Sequence, residues 1–557
     1  MLIQTSASTF WQHLAANPTA APLIARVREQ HDRNAEEATA LLRYGQRRQF
    51  YEDGERGGFE RPYFARRRFL TAAALLALLY PEDPTYPVEV QDMAIAICEE
   101  TCWAVPAHTS GVPQEDADCI DLFAAETGMM LAEIRYVLGD RLDAAVCARI
   151  AAEVLRRIRD NYRTHTYAWE TRTTNWASVC AANVGGALLY LDPEAFSEAL
   201  PRLQRSFTCF LNGFSDDGVC LEGLAYWMFG FGEYVWFADL LYRSTDGATD
   251  LLAGEKLRRI AAYGQSIFLR GGATVSFSDS SRSGYVDRAL QNYLHCRFPD
   301  TVALLPETYT DIWTGNCSWL QLSRTLLYGC AEDEGNNRVY TPGDVDFPCA
   351  GQAVVYRPGY VLAVKAGYND EPHNHNDIGT FIVATERGQV LCDLGSGRYT
   401  GQYFDPRYRY TFLCTSSFGH SVPIVNGQGQ TAGRQYAGQL RHEGDTLCLE
   451  LAGAYAVPAL RGLTRMLITR EHSIRLEDRF AGDGLEIVER FVTLLEPQLT
   501  SGAVQLPGVY LRFALPDSAV HIHAEQDKQS CDQPIYCIDF HIPAEQREFM
   551  LDIECAE

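Results

Sequence analysis

Lysine is almost absent from this sequence: only Lys256, Lys365 and Lys528 stand among 48 basic residues, so nearly every positive charge is an arginine. Codon or genome bias accounts for most of that imbalance, but arginine is also the side chain whose planar fork grips carboxylate and sulfate with two hydrogen bonds. A long hydrophobic run is lacking too. The longest, Phe69 to Tyr80 (FLTAAALLALLY), falls well short of the ~20 residues a bilayer-spanning helix needs and reads as a buried helix. The 17 cysteines are scattered from Cys98 to Cys555 without a tight framework, and Cys98 with Cys102 finds no second pair to complete a zinc set. Free, mostly buried thiols in a reducing compartment are therefore expected. The opening MLIQTSASTFWQHLAANP has no basic segment leading into an apolar core and a small-residue cleavage site, so the expected location is cytoplasmic. A net charge of −24 argues against general binding to nucleic acid or to an anionic membrane.

What is present is enough apolar residue, 46%, for sizeable cores, which excludes a disordered or collagen-like chain. At 557 residues the chain exceeds the ~250–300 residues at which one core stops growing, so more than one domain is expected. From Pro22 to about Cys330 the apolar residues recur at three and four. This spacing predicts helices over Phe69–Tyr80, Val88–Trp103, Ile120–Leu138, Leu142–Tyr162, Trp176–Leu191, Phe196–Asn212, Gly223–Tyr242 and Glu255–Arg270. Periodicity alone leaves a bundle, a solenoid and a ring of helical hairpins open. The texture changes near Gly335 to Gly351, and from Ala353 on short β-rich runs follow, among them AVVYR, YVLAVKA, TFIVAT, QVLCDL, TRMLITRE, HSIRLEDRF, LEIVERFVTLL, YCIDFHI and EFMLDIE. Their number points to a β-sandwich. Helices followed by strands, rather than the two interleaved, imply separately built parts with a seam between them, a usual place for a cleft.

The chemistry concentrates at Glu371–Phe381, EPHNHNDIGTF, which sets His373, Asn374, His375, Asn376 and Asp377 side by side between two strands. Five such groups cannot all be buried without partners, and a plain turn needs one or two Asn or Gly, not alternating histidines. Downstream lie Asp393 in VLCDLGSGRY and His420 in TSSFGHSVPIVNG. His375, Asp393 and His420 would come from separate strands and could converge as a two-histidine, one-carboxylate set, a ligand mix that suits zinc.

These residues resemble the heparinase II/III-like polysaccharide lyases, a family that includes glycosaminoglycan and alginate lyases. The resemblance rests on the HNHND block with Gly379 and Phe381, on Asp393-Leu-Gly-Ser-Gly with Tyr399, and on Ser417-Phe-Gly-His420-Ser421 leading to Asn426-Gly427. In the helical half it rests on Thr174-Asn175-Trp176, Glu222-Gly223 with Tyr226-Trp227, and Trp103-Ala-Val-Pro-Ala-His108. Ser421 stands where the family often has Asn. The resemblance implies an α+β multidomain chain, with an N-terminal (α/α) toroid over 1–340 and a C-terminal antiparallel β-sandwich over 341–557, the cleft lying between them. It further implies Asn175, Tyr226 and His373 as catalytic residues and a structural zinc on His375, Asp393 and His420. Substrate contacts would come from His108, Trp103, Trp176, Glu222, Trp227 and Tyr410, and a homodimer is implied.

The implied activity is β-elimination on uronic-acid-containing glycans, which leaves a 4,5-unsaturated uronate. The C5 proton is weakly acidic unless a preorganised donor neutralises the neighbouring carboxylate, a role that suits Asn175. Tyr226 alone could serve as base and acid for one C5 epimer, whereas His373 as base and Tyr226 as acid would suit the other. Arg398, Arg407 and Arg409, in GSGRYTGQYFDPRYRY, are placed to grip substrate carboxylate or sulfate. Two alternatives remain: a hydrolase using paired carboxylates on acidic oligosaccharides, and a non-catalytic carbohydrate-binding protein that keeps the zinc for stability.

Overall fold

The three-and-four spacing of the first half folds into helices at Gly57–Leu79, Thr85–Cys98, Leu122–Leu138, Asn175–Leu191, Pro193–Leu211 and Gly232–Ser244, among others. The computed structural model describes residues 6, 8–312, 315–317, 319–329 and 340–556. Starts are set where the sequence supplies a cap: Asp121 accepts from the Ala124 amide and Asp192 from the Ala195 amide. Asn175–Leu191 is buried on nearly every side, packed against Leu122–Leu138, Pro193–Leu211 and Gly232–Ser244. Close approach there needs glycine, since a Cβ on Gly185 would lie 2.6 Å from Phe237 and one on Gly186 2.4 Å from Met129. The helix expected over Glu255–Arg270 stops at Tyr263. Gly264 follows, its backbone so tight against the Trp227 ring that a Cβ would sit 2.8 Å away. None of the described helices is long and apolar enough to cross a membrane.

Past residue 340 the chain builds three antiparallel sheets. One has five strands in the order Val345–Phe347, Gln352–Arg357, Tyr360–Lys365, Phe381–Thr385, Gly388–Leu391. A second has nine, running from Gln498–Thr500 through the central pair Ser473–Gly482 and Leu460–Thr469 to Gly433–Glu443 and Gly367–Asn369. The third has four, including Pro423–Val425 and Ile487–Thr493. The five-stranded sheet explains why its strands read as continuous apolar runs: it is covered on both faces. Val354, Val361, Ala363, Ile382 and Ala384 pack into the helical core, while the alternate residues Val355, Tyr360, Leu362, Val364, Phe381 and Val383 pack into the sandwich core. The whole is an (α/α) toroid followed by an antiparallel β-sandwich. The expected boundary near residue 340 adjoins 330–339, which lie outside the described residues.

One buried cation ties the sandwich to the loops that matter. Arg465, fully buried, grips Asp478 at 2.6 and 3.0 Å and Glu489 at 2.9 Å, while its remaining nitrogen donates to the carbonyls of Gly379 at 2.9 Å and Ser421 at 2.8 Å. The loop ending at Gly379 carries the HNHND block and Ser421 follows His420, so both histidine-bearing loops hang from one guanidinium.

Candidate functional site

Where the toroid meets the sandwich, the helical half contributes Asn175, Glu222, Tyr226 and Asp279, and the sandwich half contributes His373, His375, Tyr399, Tyr403 and Arg409. Asn175 is the first residue of its helix and is buried; its amide donates to Glu222 Oε1 at 3.1 Å. Thr174, not Asn175, holds the capping position, which leaves the Asn175 side chain free of that duty. Glu222 is followed by Gly223 at φ 96°, a left-handed turn where a Cβ would strike Ser280 at 2.8 Å. The chain then enters one helical turn, Leu224–Tyr226, and a π turn, Trp227–Phe231, before Gly232–Ser244. Such π turns recur at functional sites, and this one carries Tyr226 at its edge.

His373 is held at φ 56°, a backbone conformation that an L-residue adopts only at a cost. Its ring stacks on Tyr226 with centroids 4.3 Å apart, and Tyr226 shares a 2.7 Å hydrogen bond with the Tyr399 hydroxyl. His373 Nδ1 lies 2.6 Å from Asp279 Oδ2, and Nε2 points towards Glu222 Oε2 at 3.5 Å. Because the carboxylate only accepts, Nδ1 is the donor to Asp279, which leaves Nε2 as the nitrogen where a proton can be taken up or released.

Asp279 is the hub. Its other oxygen takes His375 Nε2 at 2.9 Å and the Tyr403 hydroxyl, and Arg409 reaches Oδ2 at 3.2 Å. Burial alone would raise its pKa, but the hydrogen bonds from His373 and His375 and the charge of Arg409 outweigh that and hold it well below the carboxylate range. The sequence reading passed over Asp279, and over Tyr403. The run Ser278-Asp279-Ser280-Ser281 was the available signal: a polar stretch after Val275-Ser276-Phe277, its first three residues buried and Ser278 at φ 59°.

Glu222 behaves oppositely. Burial pushes its carboxyl up to about 7, against the charge of His373 and the Asn175 amide, and Oε2 has no hydrogen-bond partner. In its protonated form this carboxyl is a donor. The same shift has a stability consequence, because the folded state binds the proton more tightly than the unfolded chain. The contribution is full below 4.5 and is lost as pH rises through 7, a change of about 3 kcal/mol at ~1.4 kcal/mol per unit. Glu222→Gln, which keeps shape and cannot titrate, should gain stability relative to the native protein across that window in urea denaturation. A gap between the two that stays constant with pH would mean that Glu222 is ionised throughout.

Tyr226 is also shifted by burial, which raises its phenol against the Tyr399 hydrogen bond, so it rests protonated. His108 is held by Asp121 at 2.8 Å, its ring 4.7 Å from Trp176, whose other neighbour is the Arg172 guanidinium at 5.4 Å. Both rings are half-buried, and Trp176 follows Asn175 in the chain, while Tyr410 receives a 3.3 Å hydrogen bond from Asn374. Two expected sugar contacts are corrected. Trp103 is 2% exposed, its indole bonded to the Ile97 carbonyl and faced by Arg157 at 4.8 Å. Trp227 is fully buried, with its indole on the Ile260 carbonyl. Neither has a face to offer.

A buried group able to hold a metal ion is present: His375, Asp377 and His420 place one donor atom each within 4.8 Å of one another. His375 gives its Nε2 proton to Asp279, and burial lowers its pKa, so Nδ1 carries a bare lone pair with no partner. Such an orphan is the mark of an intended ligand atom. The carboxylate in this group is Asp377, whereas Asp393, expected in that place, holds His420 Nδ1 at 3.0 Å. Both oxygens of Asp377 are taken by the Lys365 ammonium, at 2.8 and 3.0 Å, with Glu371 3.3 Å away on the other side of the lysine.

No protein-family model and no curated protein matches the sequence. Solved structures do match. Heparinase III aligns over 90% of this chain and 78% of its own at a TM-score of 0.62 and 16% identity. The heparan sulfate lyase HepC from Pedobacter heparinus aligns over 97% and 84% at 0.56 and 14%. The chondroitin AC lyase of Streptomyces coelicolor A3, in complex with chondroitin sulphate, aligns over 98% and 82% at 0.54 and 13%. The chain therefore has the polysaccharide lyase fold.

Proposed function

We propose that the protein is a lyase that cleaves uronic-acid-containing, glycosaminoglycan-like glycans by β-elimination. The observation that carries the reading is the pairing of His373, whose Nδ1 is held by Asp279 at 2.6 Å, with Tyr226, a protonated phenol stacked on it at 4.3 Å. One is an available base and the other an available acid, side by side at the seam of the two halves. The uronate carboxylate would lie against the Asn175 amide and the protonated Glu222 carboxyl, which neutralise it as charge builds. The C5–H bond then breaks with its proton passing to His373 Nε2, the electron pair forms C4=C5, and the C4–O bond breaks as the leaving oxygen takes the Tyr226 proton. His108 and Trp176 would line the cleft beyond. A hydrolase reading lacks its second carboxyl, since Asp279 is engaged by two histidines and an arginine.

Incubation with uronate-containing oligosaccharides should produce the ultraviolet absorbance of a conjugated unsaturated uronate. New reducing ends without that absorbance would sink the proposal.

We further take zinc to be held by His375, His420 and Asp393. Asp377 is already neutralised by Lys365, whereas the proton between Asp393 and His420 is one a metal can displace. When bound, zinc supplies a cross-link between the two loops that hang from Arg465. About one zinc per chain is expected, lost in His375→Ala and Asp393→Asn but kept in Asp377→Asn, with chelation lowering the melting temperature. Metal retained in Asp393→Asn would overturn the ligand set.

A further inference from the structure

The segment 395–410 reads in sequence as an arginine grip, and the structure spends all three arginines on the protein itself. Arg398 pairs with Asp532 at 2.5 Å, Arg407 with Asp405 at 2.6 Å, and Arg409 turns inward onto Asp279 at 3.2 Å. What the segment sets beside His373 is aromatic instead. Tyr399 is 38% exposed and Phe404 46%. The Phe404 ring stands perpendicular to His373, with centroids 6.1 Å apart, and nearly so to Tyr399, 4.8 Å away.

Phe404 is mounted from both sides. Tyr403 before it is fully buried, its hydroxyl on Asp279 and its carbonyl accepting from Arg409 at 3.3 Å. Asp405 after it takes the amides of Tyr408 and Arg409 on its carbonyl, each at 2.9 Å. The ring is thus held in place without being enclosed. Single exposed rings are ordinary on a protein surface, but this one touches the proposed base and the partner of the proposed acid. Trp103 and Trp227, expected to stack on sugar, have no face to offer, which leaves that task to a ring from the sandwich side.

We infer that Phe404 is the platform on which the leaving sugar, the one whose oxygen departs from C4, stacks its ring. Position decides which sugar this is. In the proposed reaction the uronate carboxylate lies against Asn175 and Glu222, and the departing oxygen takes its proton from Tyr226. The Tyr226 hydroxyl meets that of Tyr399 at 2.7 Å, and the Tyr399 ring meets Phe404, so the contacts lead from the acid to Phe404 and away from Asn175 and Glu222. A sugar carried on the departing oxygen comes to rest there. An aromatic ring covers the C–H face of a pyranose while its hydroxyls stay in water. The inference rests on the lyase reading and adds to it the residue that selects the leaving group.

The test uses unsulfated heparosan, chondroitin and hyaluronan tetrasaccharides and takes forward the one giving most unsaturated product. It is compared with the matching uronate glycoside that carries fluorine at C4, where fluoride departs and no leaving sugar exists. Phe404→Ala should lose roughly 10-fold in kcat/KM on the tetrasaccharide, mainly through KM, and less than about 2-fold on the fluoride, while Phe404→Trp should stay within about 3-fold of native on both. Equal losses of Phe404→Ala on the two substrates would make the ring a support for His373, and no loss on either would leave it idle. Both results overturn the inference and leave the lyase intact. If the native protein forms no unsaturated product from any of these substrates, the lyase reading fails instead, and calorimetric titration with the tetrasaccharides decides the role of Phe404. Binding weakened by Phe404→Ala and restored by Phe404→Trp supports a stacking ring, and binding that is absent or unchanged by Phe404→Ala rejects it.

Discussion

Asp279→Asn should lower kcat by about 10²- to 10⁴-fold while leaving KM within a few-fold of the native value. The carboxylate accepts from His373 Nδ1 at 2.6 Å and His375 Nε2 at 2.9 Å on different oxygens. An amide of the same shape accepts on one side only, so one imidazole must face an N–H and shift its proton to the other nitrogen. If that is His373, Nε2 becomes protonated and can no longer take a proton from carbon; if it is His375, the lone pair at Nδ1 is lost. A purely structural Asp279 would affect stability and leave the catalytic pH profile unmoved. A positioning role moves that profile and also lowers zinc content, since a misoriented ligand typically costs ~10- to 100-fold in affinity. Activity within threefold of the native enzyme would remove Asp279 from the mechanism.

That this residue escaped a reading of the sequence is instructive. The HNHND block advertises itself because alternating histidines and amides have no ordinary structural use, and His373 and His375 do face one another's partner in the structure. Asp279 lies 94 positions from His373 along the chain, in a serine-rich turn with no flanking pattern, and only the closure of the toroid onto the sandwich brings the two together. The same limit applied to Trp103 and Trp227. Aromatic residues near a motif read alike whether they face a cleft or a core, and burial, a property of the fold, separates them. Local elements fared better where one face decides the pattern: strands such as Ser473–Gly482 alternate cleanly and were legible. The eleven-residue strand Gly433–Glu443 was not, because none of its residues is fully buried and it presents mostly polar or small side chains, so no apolar alternation marks it. Arginine abundance, ambiguous in composition, resolves by position: Arg465 and Arg409 are buried and structural, and Arg398 is paired with Asp532 at the surface.

Tyr226→Phe should cost a similar 10²- to 10⁴-fold in kcat, the range of a lost general acid. The ring remains, so its stacking on His373 at 4.3 Å and the shape of the cleft persist, and KM should change little. Only the proton for the leaving oxygen is removed. Tyr399 stands 2.7 Å away and is itself a phenol raised by burial, so the two hydroxyls compete for the role of acid. Position separates them. Tyr226 is in ring contact with the base, whereas Tyr399 lies with its centroid 6.4 Å from His373 and approaches through Tyr226. Tyr399→Phe is therefore expected to lose less than about 10-fold, the value of one supporting hydrogen bond. A substrate whose leaving group needs no proton, such as a uronate with an acidic phenol at C4, should restore much of the lost rate in Tyr226→Phe and none in His373→Ala, since the carbon proton must still be taken. If Tyr399→Phe proves the more damaged of the two and responds to the activated leaving group, the acid is Tyr399 and Tyr226 is its support.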